Sequence, residues 1–207
     1  MHLTDFVLTH VPPVPARVLE VGCGRGDLAR ALAAAGHEVT AIDPEAPEGP
    51  LFRRVTLEDF AGAEPFDAVV ASRSLHHVPA LGVAVDKIAA LLRPGGVLVL
   101  NEFAKERLEG PTAEWYYVQR RALAAAGGRS APGTLEECLD EEHADIHAYG
   151  DMRRELDRRF GERLFAWLPY LHDELGEVVS EELERSLIEA GAIQATGFRY
   201  VGETARR

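Results

Sequence analysis

Between residues 17 and 36 the chain passes from an apolar strand candidate, Arg17-Val18-Leu19-Glu20-Val21, through Gly22-Cys23-Gly24-Arg25-Gly26 into an Ala/Leu-rich stretch, Asp27 to Ala35, that stops at Gly36. Glycine at every second position of a loop between a strand and a helix constrains the fold more than any other feature. It permits left-handed backbone and lets a ligand approach with no Cβ in the way, with amide N–H groups pointing at it. The segment reads as strand, glycine turn and helix, the unit from which parallel sheets are built.

The unit repeats. Glu38 to Ile42 is a second strand candidate ending at Asp43-Pro44, Leu51 to Val55 a weaker third and Asp67 to Ala71 a fourth. Ala80 to Leu92 has helical spacing, with Leu81, Val85, Ile88, Leu91 and Leu92 on one face. Arg93-Pro94-Gly95-Gly96 then reads as a turn into a fifth strand, Val97 to Leu100. Strands apolar on both faces and alternating with helices predict an α/β fold with a doubly wound, mostly parallel sheet covered on both sides. Ahead of it, an apolar N-terminal segment with Phe6, Val7, Leu8 and Val11 is stopped by Pro12-Pro13-Val14-Pro15.

After Asn101 the rhythm gives way to a polar, helix-favouring tract of about fifty residues, anchored by Trp115, Tyr116, Tyr117, Leu123, Leu135 and Leu139, which disordered segments lack. Helix signals at Met152 to Phe160 and Glu181 to Ala190 then alternate with strand signals at Leu164 to Leu168 and Ile193 to Val201.

The 207 residues, 46% of them hydrophobic, suffice for one globular domain. The net charge of −12, with no Lys/Arg-rich run, argues against a nucleic-acid partner or a membrane surface. No apolar run approaches the ~20 residues of a bilayer span, and Met1-His2-Leu3-Thr4-Asp5 lacks the basic region of a leader. Cys23 and Cys138 form no disulfide framework or zinc spacing, so a cytoplasmic protein without a structural metal is expected. Nothing speaks to oligomeric state.

An acid at the end of the second strand, Asp43, is placed to accept hydrogen bonds from both hydroxyls of a ribose, so loop and acid together suggest an adenosine site. A dinucleotide site would need its third glycine where this chain has Asp27, and a carboxylate at a helix start repels a pyrophosphate while tolerating a cationic ligand. A nicotinamide-dependent oxidoreductase is disfavoured on that ground.

These residues resemble the class I S-adenosylmethionine-dependent methyltransferases, in their small-molecule, type 11-like branch. Val18 to Gly26 resembles the family's first motif and Ala41-Ile42-Asp43 its second-strand acid. Phe66-Asp67-Ala68-Val69-Val70 with Leu75-His76-His77-Val78 resembles the fourth-strand motif, and Leu91 to Leu98 the turn into the fifth strand. The resemblance implies a seven-stranded sheet with an antiparallel last strand, Leu164 to Leu168 and Ile193 to Val201 supplying strands six and seven. It implies a single domain over residues 1–207, with residues 103–149 inserted after strand five as a helical cap. It places Glu20 and the loop residues Gly22, Cys23, Gly24 and Gly26 against the methionine part of the cofactor, Asp43 at the ribose and Pro44 on the adenine. Thr56, Leu57 and Glu58 would meet the adenine edge, with Ser72 also on the cofactor side, and S-adenosylmethionine is the implied cofactor.

Methyl transfer from a sulfonium is an in-line displacement with a neutral leaving group, so alignment and water exclusion dominate and neither metal nor covalent intermediate is needed. A base helps when the acceptor is protonated, and His76 and His77, just past strand four, are the candidates; adjacent side chains point apart, so one of them faces the pocket. Packing of the following turn is their alternative role. Arg73 is a candidate to hold a carboxylate of acceptor or cofactor, or else to pair internally with Asp27 or Glu20. Trp115 and Tyr116 are candidates to stack on a planar acceptor or else to pack the insertion. His143 and His147, four apart, would share a face if helical and are acceptor-contact candidates; no third metal ligand accompanies them. A small-molecule acceptor is the expected partner, and a non-catalytic S-adenosylmethionine sensor or scaffold of the same fold is the alternative.

Overall fold

The computed structural model describes residues 1–62, 64–127, 130, 132–176 and 179–205. Seven strands form one sheet in the order β3-β2-β1-β4-β5-β7-β6: β1 Arg17–Val21, β2 Glu38–Asp43, β3 Phe52–Arg54, β4 Phe66–Ser72, β5 Leu92–Phe103, β6 Gly161–Leu168 and β7 Gly197–Glu203. The first five run parallel, Val18 to Val21 pairing with Val39 to Ile42 on one side and with Ala68 to Ala71 on the other. The last strands reverse. Thr204 donates its N–H to Gly96 at the start of β5 while Ala104 donates to Thr196 just before β7, and Gly161 lies against Glu203 as Gly197 lies against Leu168. The expected mostly parallel sheet with an antiparallel end is therefore observed.

Eight helices accompany the strands among the described residues: α1 Leu3–His10, α2 Asp27–Ala34, α3 Leu81–Leu91, α4 Gly110–Ala125, α5 Leu135–His143, α6 Tyr149–Asp157, α7 Leu171–Leu175 and α8 Glu181–Glu189. Phe6 and Val7 of α1 and Leu28 and Leu32 of α2 bury against Val18, Ala68, Val70, Val97 and Val99. The alternating residues Leu19, Val69, Leu98 and Leu100 are equally buried and face the other way by the two-residue period of a strand.

The chain divides into two compact units, the first made of Met1–Glu102, Gly150–Phe165 and the stretch from Arg199, the second of Phe103–Tyr149 and Ala166–Phe198. The second has its own core of Phe103, Leu108, Tyr116, Cys138, Tyr170, Leu171 and Leu175. In it Arg120 is fully buried, pairing with Glu142 through Nη1 and with Glu141 through Nη2 at 3.1 Å. Glu184, also fully buried, accepts the N–H groups of Tyr170, Leu171 and His172.

Several boundaries differ from the sequence reading: α6 spans Tyr149–Asp157 rather than Met152–Phe160 and β6 starts at Gly161 rather than Leu164, and three differences bear on the site or the topology. β5 starts at Leu92 rather than Val97, because Leu92 pairs with Phe66 and the Arg93–Gly96 turn is absorbed as an irregularity of register between Phe66 and Ala68. β7 starts at Gly197 rather than Ile193; Gln194 donates instead to the Thr112 hydroxyl, outside any ladder. α5 ends at His143, followed by extended Ala144 and left-handed Asp145 (φ 53°), so His143 and His147 do not share a helix face.

Candidate active site

The glycine loop follows β1 and is pinned to β2 by the Gly22 and Cys23 amides, both donating to the Ile42 carbonyl at 2.9 and 3.1 Å. Its three glycines serve different ends. A Cβ on Gly22 would lie 2.4 Å from Cβ of Ser74, and one on Gly26 would lie 2.4 Å from the Phe52 ring, both at positive φ. Those two allow close packing of the loop on its neighbours. Gly24, at φ 49°, would meet nothing within 4 Å, so its backbone is the part open to a ligand.

Gly24 faces Asp43 at the end of β2: its amide donates to Oδ2 at 3.0 Å, while Oδ1 accepts the Glu45 amide at 2.8 Å. A carboxylate has about four acceptor positions, so each oxygen retains capacity for a ligand hydroxyl. Behind the loop, Glu20 is buried with Oε2 finding no partner among the described residues. Burial pushes its carboxyl up to about 7, against the pull of the Ala29 amide, and Asp27 and Asp43 add to the rise. Burial likewise pushes the Cys23 thiol up to about 11.

A cleft of about 570 Å³ opens at the carboxyl ends of β1, β2 and β4, where open α/β sheets bind ligands and within the size range of small-molecule sites. Of the sequence candidates, Gly22, Gly24, Asp43, Pro44, Thr56, Leu57, Glu58, Ser72, Arg73 and His77 line it. Glu20, Cys23, Gly26 and His76 are absent from its lining. Cys23 and Gly26 belong to the loop itself and Glu20 to the end of β1; His76 is buried and pairs through Nδ1 with Glu102. His77 is exposed on the cleft, its imidazole held below the usual histidine range first by burial and then by the charges of His76 and Arg73, with Glu102 opposing. Arg73 is the left-handed residue (φ 56°) that turns the chain out of β4, its amide donating to the Asn101 carbonyl at 2.9 Å. Asp27, one of its two expected internal partners with Glu20, pairs with Arg30 at 3.3 Å.

Val21, Ile42, Val55, Ser74, Val78 and Pro79 also line the cleft without having been singled out. Val21, Ile42 and Val55 read from sequence as strand ends; only their position beside Gly22 and Asp43 signals a site.

The remaining candidates belong to the second unit. Tyr116 is fully buried there, donating to Glu142 at 2.9 Å, with Trp115 partly buried beside the same core, so Tyr116 offers an acceptor no ring face. His143 is partly buried, with Nε2 unpartnered among the described residues and its pKa lowered by burial and then by Lys105, which donates to the His143 carbonyl at 3.3 Å. His147 lies beyond the left-handed Asp145. Among the described residues no group of three or more His, Cys, Asp or Glu is placed to hold a metal ion, and no helix is long and apolar enough to cross a membrane.

The donor set fits an adenosyl sulfonium. An open glycine backbone, a carboxylate with spare acceptor capacity and Glu58 stand in one cleft, and Oε2 of the buried Glu20 has no partner among the described residues. At the glycine loop Arg30 donates to the Arg25 carbonyl at 2.8 Å and pairs with Asp27 at 3.3 Å, and Asp27 puts a carboxylate at the start of α2, where it opposes a pyrophosphate.

A family model described as a methyltransferase domain matches residues 2–191. A ubiquinone biosynthesis O-methyltransferase of Xylella fastidiosa (strain 9a5c) is 40% identical over 113 residues, covering 47% of this chain and 46% of that protein. The match thus spans about half the length of such relatives. A 1,6-didemethyltoxoflavin-N1-methyltransferase of Burkholderia thailandensis, solved with 1,6-didemethyltoxoflavin and S-adenosylhomocysteine, superposes with a TM-score of 0.56 at 18% identity, over 98% of this chain and 75% of that one. An S-adenosylmethionine-dependent methyltransferase of Mesorhizobium loti superposes with a TM-score of 0.62 at 16% identity, over 97% and 95%. At these identities the structures establish a shared fold.

Proposed function

The chain belongs to the methyltransferase-domain family, and from that premise we propose that it transfers the methyl group of S-adenosylmethionine to a small-molecule acceptor held at the Arg73–His77 end of the cleft. The observation that carries the reading is the meeting of open, left-handed Gly24 with the Asp43 carboxylate inside that cleft.

S-adenosylmethionine, when bound, supplies an electrophilic methyl group whose transfer leaves a neutral thioether. The chain's own residues then have three tasks. Asp43 holds the ribose hydroxyls, with Thr56, Leu57 and Glu58 beside the base. Gly22 and Gly24 let the backbone approach the amino-acid portion of the cofactor, with Glu20 buried next to them at the end of β1. His77, exposed on the cleft with its pKa lowered by burial, takes the proton of an acceptor hydroxyl; a positioned base of this kind contributes ~10² to 10⁴ in rate. The curated relatives are named as O-methyltransferases, which supports oxygen as the accepting atom. The acidic composition supports a small molecule over a nucleic acid, and two cysteines that form no disulfide support a cytoplasmic location.

The test is incubation with methyl-labelled S-adenosylmethionine and a panel of small phenols, hydroxy acids and amines, read by mass spectrometry. Label on a hydroxylated compound is expected. Binding of the cofactor without transfer to any compound would favour a sensor or scaffold instead.

A further inference from the structure

His77 stands on a short turn between β4 and α3, and what fixes that turn is a side chain from another strand. Glu102, at the end of β5, has no solvent exposure. Its Oε1 accepts the amides of Ser74 at 3.1 Å and Leu75 at 2.8 Å, and its Oε2 pairs with Nδ1 of His76. One carboxylate thus holds three consecutive residues, and His77 is the first residue beyond the clamp.

The same turn is tied at two further points. The Ser74 hydroxyl donates to the Val21 carbonyl at 2.9 Å, and the Arg73 amide donates to the Asn101 carbonyl at 2.9 Å. Gly22 has no Cβ because Ser74 fills that space. The turn, the glycine loop and the end of β5 are therefore tied to one another by these contacts.

Burying a carboxylate costs heavily unless donors converge on it, and an apolar side chain would fill the end of a central strand more cheaply. Three convergent donors from one turn indicate a residue specified by what it orients. We propose that Glu102 is the positioning residue of the acceptor end: through the Ser74–His76 clamp it aims His77 into the cleft. Its charge also acts on the His77 imidazole, opposing the lowering by burial, His76 and Arg73. This rests on the methyltransferase reading for the task His77 performs, but the clamp itself does not.

Glu102→Gln tests it. The amide keeps the shape and one acceptor oxygen but removes the charge and presents an NH₂ where one oxygen stood. With ¹⁵N-labelled histidine, the pH titration of His77 is followed by NMR in wild type and E102Q without cofactor, with far-ultraviolet circular dichroism as the check on folding. His77 is expected to titrate lower in folded E102Q by at least about 0.3 pH unit, and the His76 Nδ1 signal to shift as its partner changes. A folded E102Q with unchanged His77 titration overturns the proposal. A second measurement needs no variant: the Ser74 and Leu75 amides of the wild type should exchange with deuterium at least about tenfold more slowly than exposed loop amides. Fast exchange at both would overturn the clamp even if E102Q fails to fold. Failure of the wild type to bind S-adenosylmethionine would overturn only the methyltransferase reading, since neither measurement uses the cofactor.

Discussion

Asp43 and Gly24 meet at 3.0 Å, the Gly24 amide donating to a carboxylate oxygen whose partner oxygen takes the Glu45 amide. The second strand thereby holds the one loop glycine that is open to a ligand. Asp43→Ala removes both the anchor and the acceptor for a ribose, and is expected to weaken S-adenosylmethionine binding by ~1.5 to 3 kcal/mol, as for hydrogen bonds to a charged group. Asp43→Asn should also weaken it, because its NH₂ must oppose one of the two amides. Calorimetric titration of both variants checks this; unchanged affinity in the alanine variant would mean that the cofactor does not engage Asp43.

His77→Asn retains a polar side chain on the cleft and removes the base. Turnover on a hydroxyl acceptor should fall by ~10²-fold or more with cofactor affinity little changed. Since the His77 pKa is lowered, its neutral form persists to more acid pH than that of an ordinary histidine, so the acid limb of the rate profile should lie below pH ~6.5 and vanish in the variant. Equal losses in turnover and cofactor affinity would assign His77 to structure.

Glu20 gives the ligand-free protein a distinct pH dependence. Its carboxyl is raised from 4.5 to about 7 in the fold, so between those values the native state binds more protons than the unfolded chain and stability falls as pH rises. Stability from this group is intact below about 4.5 and lost by about 7, a span worth about 3 kcal/mol. Glu20→Gln keeps an acceptor for the Ala29 amide and should flatten that fall in urea-unfolding free energies measured from pH 5 to 8. A slope identical to that of the wild type would show that Glu20 is ionised and paired.

Arg120 tests the second unit. Its guanidinium is buried with Glu142 and Glu141, and its pKa is raised by Tyr116, Glu142 and Glu141 against the effect of burial. Arg120→Met leaves the mostly buried Glu142 without its cation and should cost ~3 to 5 kcal/mol in urea unfolding. The double variant R120M/E142Q should recover a large part of that loss. Additive losses would mean that the pair is not coupled.

The parts of the molecule legible in sequence are those written in local pattern. β1, β2, α2 and the glycine turn appear within a residue or so of where they were read, because burial on both sheet faces demands short apolar runs and the turn demands glycine. Asp43 was legible for the same reason, as an acid where an apolar strand ends. The Arg93–Gly96 stretch misled: Pro94, Gly95 and Gly96 read as a turn, yet pairing of Leu92 with Phe66 across the irregularity extends the strand through them. Glu102 was not legible as a clamp, since its partners lie 26 to 28 residues earlier in the chain and no periodicity joins them. Nor could spacing separate His76 from His77, because which of two adjacent histidines turns inward is decided by that distant carboxylate. His143 and His147 fit helical spacing, but left-handed Asp145 interrupts the helix.

The central claim is the cofactor, and it is tested most directly by calorimetric titration of the purified chain with S-adenosylmethionine, S-adenosylhomocysteine and NADH in parallel. Binding of both adenosyl ligands at micromolar concentration, with none of NADH and with a marked loss in Asp43→Ala, is the predicted result. Binding of NADH alone, or of none of the three, would contradict the account.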